Sequence, residues 1–135
     1  MKIRSHLDRG LVLLNHARLL VAAVALGWSA TLSMAIPNGH TVVYGNVTVQ
    51  YFTNYMMVTS TSGKSIVDWS SFNLAHGESV NFLLPSSSSR ILNRIDGANG
   101  MYLIHGALNS NGHVYLINPA GITFGANSVL NANRI

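Results

Sequence analysis

Along most of the chain, apolar residues recur at strand-like intervals. From Ile36 onward no window of adequate length shows the i, i+3, i+4 spacing of an amphipathic helix, whereas short β-branched and aromatic runs return throughout. Val47, Val49 and Tyr51 alternate with Thr48 and Gln50, and Val80, Phe82 and Leu84 alternate with Asn81. A period of two places side chains on opposite faces of a pleated strand, so each run predicts a strand with one buried face. Pro85-Ser86-Ser87-Ser88-Ser89 then interrupts the pattern and predicts a polar surface loop.

After Arg90 the texture changes. Short apolar groups at Ile91 to Ile95, Met101 to Ile104, Val114 to Ile117, Ile122 to Phe124 and Val129 to Leu130 are divided by Asn- and Gly-rich punctuation. The dividers are Asp96-Gly97-Ala98-Asn99-Gly100, Asn109-Ser110-Asn111-Gly112, Asn118-Pro119-Ala120-Gly121 and Gly125-Ala126-Asn127-Ser128. Strands this short need neighbours. An antiparallel meander with Asn-Gly hairpins would supply them, and so would a parallel β-helix whose coils turn sharply and stack. Asn111-Gly112 alone favours the hairpin; the density of corners favours the coil. Asn118-Pro119-Ala120-Gly121 reads as a type I turn, because type II would require positive φ at Ala120. Asparagines at stacked corners can also form amide ladders between coils, so their structural role is considered before any functional one.

The N-terminal part follows another pattern. Lys2, Arg4, Arg9 and Arg18 precede a nearly uncharged stretch from Leu19 to Ile36, which is diluted by Gly27, Ser29, Thr31 and Ser33 toward a small-x-small site at Ser33-Met34-Ala35. This is the order of a signal peptide over residues 1–35, with an extended basic start, cleaved after Ala35 to leave Ile36 first. A membrane anchor would call for roughly 20 predominantly apolar residues, which this diluted stretch does not offer.

Charge now has a location. The formal net charge is +4 and the pI about 9.9, but residues 1–35 hold four basic residues against Asp8, a net of +3. The remainder carries Lys64, Arg90, Arg94 and Arg134 against Asp68, Glu78 and Asp96, a net of +1. The continuous basic stripe expected of a nucleic-acid binder is therefore not apparent in the sequence after the leader. The chain has no cysteine, which excludes disulfides, Cys-ligated metals and thiol nucleophiles.

The downstream motifs resemble one family. Ile66-Val67-Asp68-Trp69-Ser70-Ser71-Phe72, then Gly77-Glu78-Ser79-Val80-Asn81-Phe82, then Pro85 are similar to the two-partner-secretion, or filamentous haemagglutinin N-terminal, domain. Leu92-Asn93-Arg94-Ile95 resembles that family's LNR-I/V element and Gly106 to Gly112 its G-x-L-x-x-N-G element. Val114 to Gly125, containing the Asn118 turn, follows in order. The likeness covers about residues 38–131, and its specificity lies in the order of the motifs. Ala120 stands where the family's NPNG motif has its second Asn. Family domains continue through further coils beyond this length, so the resemblance also implies a C-terminally truncated domain.

The resemblance implies an all-β fold, a right-handed parallel β-helix over residues 36–135 behind a signal helix. It implies a secretion-targeting role for a large exoprotein of adhesin, haemagglutinin, haemolysin or contact-inhibition type. The partners it implies are the POTRA domains of an outer-membrane transporter, the general secretion translocon and signal peptidase. It implies no cofactor, no small-molecule substrate and no nucleic acid, with export through the periplasm to the surface of a Gram-negative bacterium or beyond. A β-helical passenger or polysaccharide-active enzyme without a dedicated transporter is the other reading of such a coil.

Candidate chemistry is sparse. Asp68, Glu78 and Asp96 each fall inside a structural motif, which leaves no evident carboxylate pair for glycoside hydrolysis. His76, His105 and His113 lack metal-ligand spacing, and Trp69 and Phe72 are expected in the core. Asn109, Asn111, Asn118, Pro119 and Gly121 are the candidates for transporter recognition or, more plainly, for structural turns.

Overall fold

The computed structural model describes residues 35–135. Of the expected signal peptide only Ala35 falls among them; the signal helix lies outside the described residues. The secondary structure is β1 (Asn38–Tyr44), β2 (Val47–Tyr51), β3 (Tyr55–Ser60), β4 (Lys64–Ser71), β5 (Ser79–Leu83), β6 (Arg90–Ile95), β7 (Tyr102–Ile104), β8 (Ala107–Ser110), β9 (His113–Ile117), β10 (Ile122–Phe124) and β11 (Val129–Asn131). One 3-10 turn, Gly97–Asn99, is capped by the Asp96 side chain, which accepts from the Ala98 N–H.

Strands β3 onward wind into a β-solenoid of about 3 turns. β3, β5, β8 and β11 stack in parallel as one face, β4, β6 and β9 as a second, and β7 with β10 as a third. A parallel bridge from Leu74 to Ile104 carries the third face into the preceding coil. Asn111-Gly112 is therefore a corner between faces and not a hairpin, since β8 and β9 belong to different sheets.

The inward positions stack in columns set by register. Met56, Val80 and Leu108 form one column and Val58 with Phe82 another. On the second face Trp69 lies over Ile95, and Ile91 over Val114. All of these are buried, together with Val67, Phe72, Leu74, Leu84, Tyr102 and Ile104. The alternation in β3, β4, β5 and β6 thus reports the solenoid interior. Trp69 and Phe72 meet edge to face with centroids 5.4 Å apart, as expected of core residues. The serine loop is less superficial than the sequence suggests. Ser89 is buried, and its hydroxyl accepts from the Ser86 N–H at 3.1 Å, closing the loop onto the coil.

A difference appears at the start. β1 pairs antiparallel with β4, and β2 antiparallel with β3. These strands extend the second and first faces by one strand each, so the stack opens with a reversed layer. The reversal turns on Gly45, at φ 86, where a side chain would run into the Lys64 carbonyl.

Candidate functional site

The five candidate residues fall into two groups that the fold does not bring together. At the corner between β9 and β10, the Gly121 N–H donates to the Asn118 carbonyl at 3.0 Å. Among the described residues none other than glycine has positive φ, so Asn118-Pro119-Ala120-Gly121 is a type I turn, with Gly121 at φ 100 leading into β10. The Asn118 side chain holds the corner from both sides. Its Oδ1 accepts from the Ala120 N–H at 3.0 Å, while its Nδ2 donates to the Gly121 carbonyl at 2.9 Å and the Gly100 carbonyl at 3.1 Å. The last bond reaches the coil below. Pro119 and Ala120 form the exposed tip, so an asparagine at 120 would sit in solvent at the apex of the turn.

Asn111 marks the corner between β8 and β9, where its amide imitates a strand. Oδ1 accepts from the Leu84 N–H at 2.8 Å and Nδ2 donates to the Leu84 carbonyl at 2.7 Å, filling a rung where β5 has ended. Asn109 corrects the sequence reading: the Asn109-Ser110 half of that divider belongs to β8. Register places Asn109 between Asn81 and Asn131, and its Nδ2 donates to Asn81 Oδ1 at 2.9 Å. The amide ladder runs along a strand face, because extended backbone in register gives the spacing that amide stacking requires.

Asn93 and Glu78, outside the candidate set, are among the buried polar residues. Asn93 is fully buried, in a core column with Val67 and Leu116. It accepts from Trp69 Nε1–H at 2.9 Å and donates to the Tyr115 carbonyl at 3.3 Å. Glu78, 6% exposed, accepts from the Ala75 N–H through Oε2 and the Ala35 N–H through Oε1, each at 2.9 Å. The Asn in LNR-I and the Glu in Gly-Glu-Ser were the signals; apart from Ala75, their partners are distant in sequence and could not be read.

The remaining acidic groups are structural as well. Asp68 takes a two-bond contact from Arg94, at 2.6 and 2.9 Å, on the exposed second face, and Asp96 caps the 3-10 turn. His105 packs over Gly125, where any Cβ would meet its ring. Among the described residues no group of three or more His, Cys, Asp or Glu could hold a metal. Among the described residues the one-sided strands include β1, paired only with β4, β2 only with β3, β10 only with β7, and β11 only with β8.

Stacked short coils with amide-built corners and an antiparallel opening layer define a capped β-solenoid, a class whose interactions are made through surfaces and strand edges. The chain belongs to the TPS secretion domain family, which matches residues 33–135. It is 32% identical over 109 residues to a heme/hemopexin-binding protein of Haemophilus influenzae strain Rd, covering 81% of this chain and 12% of that protein. A second Haemophilus influenzae heme/hemopexin-binding protein is 33% identical over 110 residues, with the same coverage. The crystal structure of the HMW1 secretion domain from Haemophilus influenzae is similar with a TM-score of 0.66 and 35% identity, over 71% of this chain and 25% of that one. The chain thus spans about an eighth of the length of the curated relatives it matches.

Proposed function

We propose that this chain is the secretion-targeting region of a large exoprotein, captured in the periplasm by the POTRA domains of a dedicated outer-membrane transporter. The observation that carries the reading is the family match over residues 33–135, behind a basic and apolar leader. On this reading residues 1–35 address the chain to the secretion translocon, and signal peptidase cleaves after Ala35. Residues 36–135 then form the first coils of the secretion domain. The exoprotein is of adhesin, haemagglutinin, haemolysin or contact-inhibition type, and its effector activity lies in other parts of it. It reaches the surface of a Gram-negative cell or the medium.

The fold supplies two features that suit capture. β1 and β2 each leave one strand edge unpaired, the arrangement to which a partner can add a strand. Absence of cysteine means that no disulfide can form in the periplasm to obstruct threading of an extended chain. Asn109, Asn111, Asn118, Pro119 and Gly121 are proposed as transporter-recognition or structural-turn residues, and the bonds made by the three asparagines and the Gly121 N–H support the structural part. The test is co-expression with a POTRA-bearing outer-membrane barrel from the same genome. Transfer of the processed chain to the medium should require that barrel, and release without it would reject the proposal.

A further inference from the structure

The unexpected feature of this surface is a column of cations. Register brings Lys64 beside Arg90, Arg90 beside His113, and His113 beside Arg134, one from each successive layer of the stack. Neighbouring layers are about 4.8 Å apart, so Lys64 and Arg90 stack like charges, which is unfavourable unless something offsets it. Nothing among the described residues does. Asp68 is engaged with Arg94, Glu78 with backbone N–H groups and Asp96 with the 3-10 turn. Beside the cations, two residues along each strand, runs a second outward column: Tyr44, Ile66, Leu92 and Tyr115. Together with Lys64 and Arg90 it lines an open groove of about 340 Å3 whose walls are almost wholly apolar.

We infer that the outer side of the β4–β6–β9 sheet is a docking surface for an anionic lipid bilayer. Lys64, Arg90 and Arg134 face the lipid phosphates, and Tyr44, Ile66, Leu92 and Tyr115 enter the interfacial zone. A cation column alongside an apolar one is what an anionic amphiphile satisfies, and tyrosine suits the boundary between headgroup and acyl chain. The long stems of Lys64 and Arg90 let their charges reach outward while their methylenes cover the groove. A second copy of the chain meeting this face would set cations against cations, and a hydrophilic polyanion would leave the apolar column unused. The columns exist only once the coils have stacked. The inference rests on the proposed function for one point, that the chain is carried through the outer membrane and so works beside a lipid surface.

The absence of cysteine allows single-site reporters in the full chain. Leu92→Cys places a polarity-sensitive fluorophore on the groove, and Leu83→Cys places one on the exposed side of the first face as the control. With phosphatidylglycerol-containing vesicles the label at 92 should shift to the blue and the label at 83 should not. Phosphatidylcholine vesicles should give no shift at 92. The Lys64→Gln/Arg90→Gln variant removes two charges and also their mutual repulsion, and its urea midpoint, compared with that of the unsubstituted chain, checks that it folds. Each charge contributes roughly fivefold to binding at an anionic surface, so this variant should lower apparent affinity by about 25-fold. Equal shifts at both positions, equal binding to neutral vesicles, or an unchanged affinity in the double variant would overturn the inference. So would a response at 92 to soluble dextran sulfate with none to anionic vesicles. Transporter-dependent release is measured separately, so failure of lipid binding leaves that reading standing.

Discussion

Single side-chain amides replace missing backbone partners at several points of this solenoid. Asn93 is the most demanding case, because it satisfies the only polar atom of the Trp69 ring inside the core. Asn93→Ala leaves that indole N–H buried without a partner and is expected to destabilise the fold by about 1–3 kcal/mol, measurable as a lower urea midpoint. Asn118→Ala removes contacts to Gly100, Ala120 and Gly121. If Asn118 serves only the fold, the loss of secretion should follow the loss of stability; reduced secretion at an unchanged urea midpoint would show separate recognition. The residue types at these places were legible in the sequence, and so was the type I turn. What was not legible was partnership. Asn93 meets Trp69 and Tyr115, and Glu78 meets Ala35, only because stacking joins residues far apart in the chain.

At the scale of strands, alternation identified β2 and β5 in position and the buried face of β5, whereas β2, at the rim, buries none of its residues fully and leaves Tyr51 exposed; the apolar groups after Arg90 each contain a strand. Asn111-Gly112 carried conflicting signals. As a local dipeptide it suits a hairpin, and only the sheet order makes it a corner. The antiparallel pairing of β1 and β2 had no local signature, because strand direction depends on the path of the chain and not on side-chain period. Unequal loops between equivalent corners also hide the repeat, which is why Lys64, Arg90, His113 and Arg134 form a column visible only in register. Close stacking has its own requirement at Gly106, where an added Cβ would collide with the Glu78 carbonyl and lie 2.8 Å from that of Ala75. Gly106→Ala should force β8 away from β5 and cost about 1–3 kcal/mol, detected as faster amide exchange in β8 and β11 than in β3.

For the whole molecule, stacking buries each coil against its neighbours and leaves the ends as the places where association begins. At the last layer Phe124, Val129 and Leu130 are exposed, and β11 has one free edge. The isolated chain is therefore expected to self-associate with rising concentration, and Phe124→Lys/Leu130→Lys should reduce that association in sedimentation experiments; an unchanged profile would place the contact elsewhere. The family assignment, the β-solenoid and the non-catalytic character of the family were all foreshadowed by motif order. The proposed targeting role is tested most directly by expressing the full chain in a Gram-negative host with and without a POTRA-bearing barrel from the same genome, and sequencing the N-terminus of any protein in the medium. The account predicts protein beginning at Ile36 in the medium only when the barrel is present. Retention in the periplasm despite a functional barrel, or equal release in its absence, would contradict it.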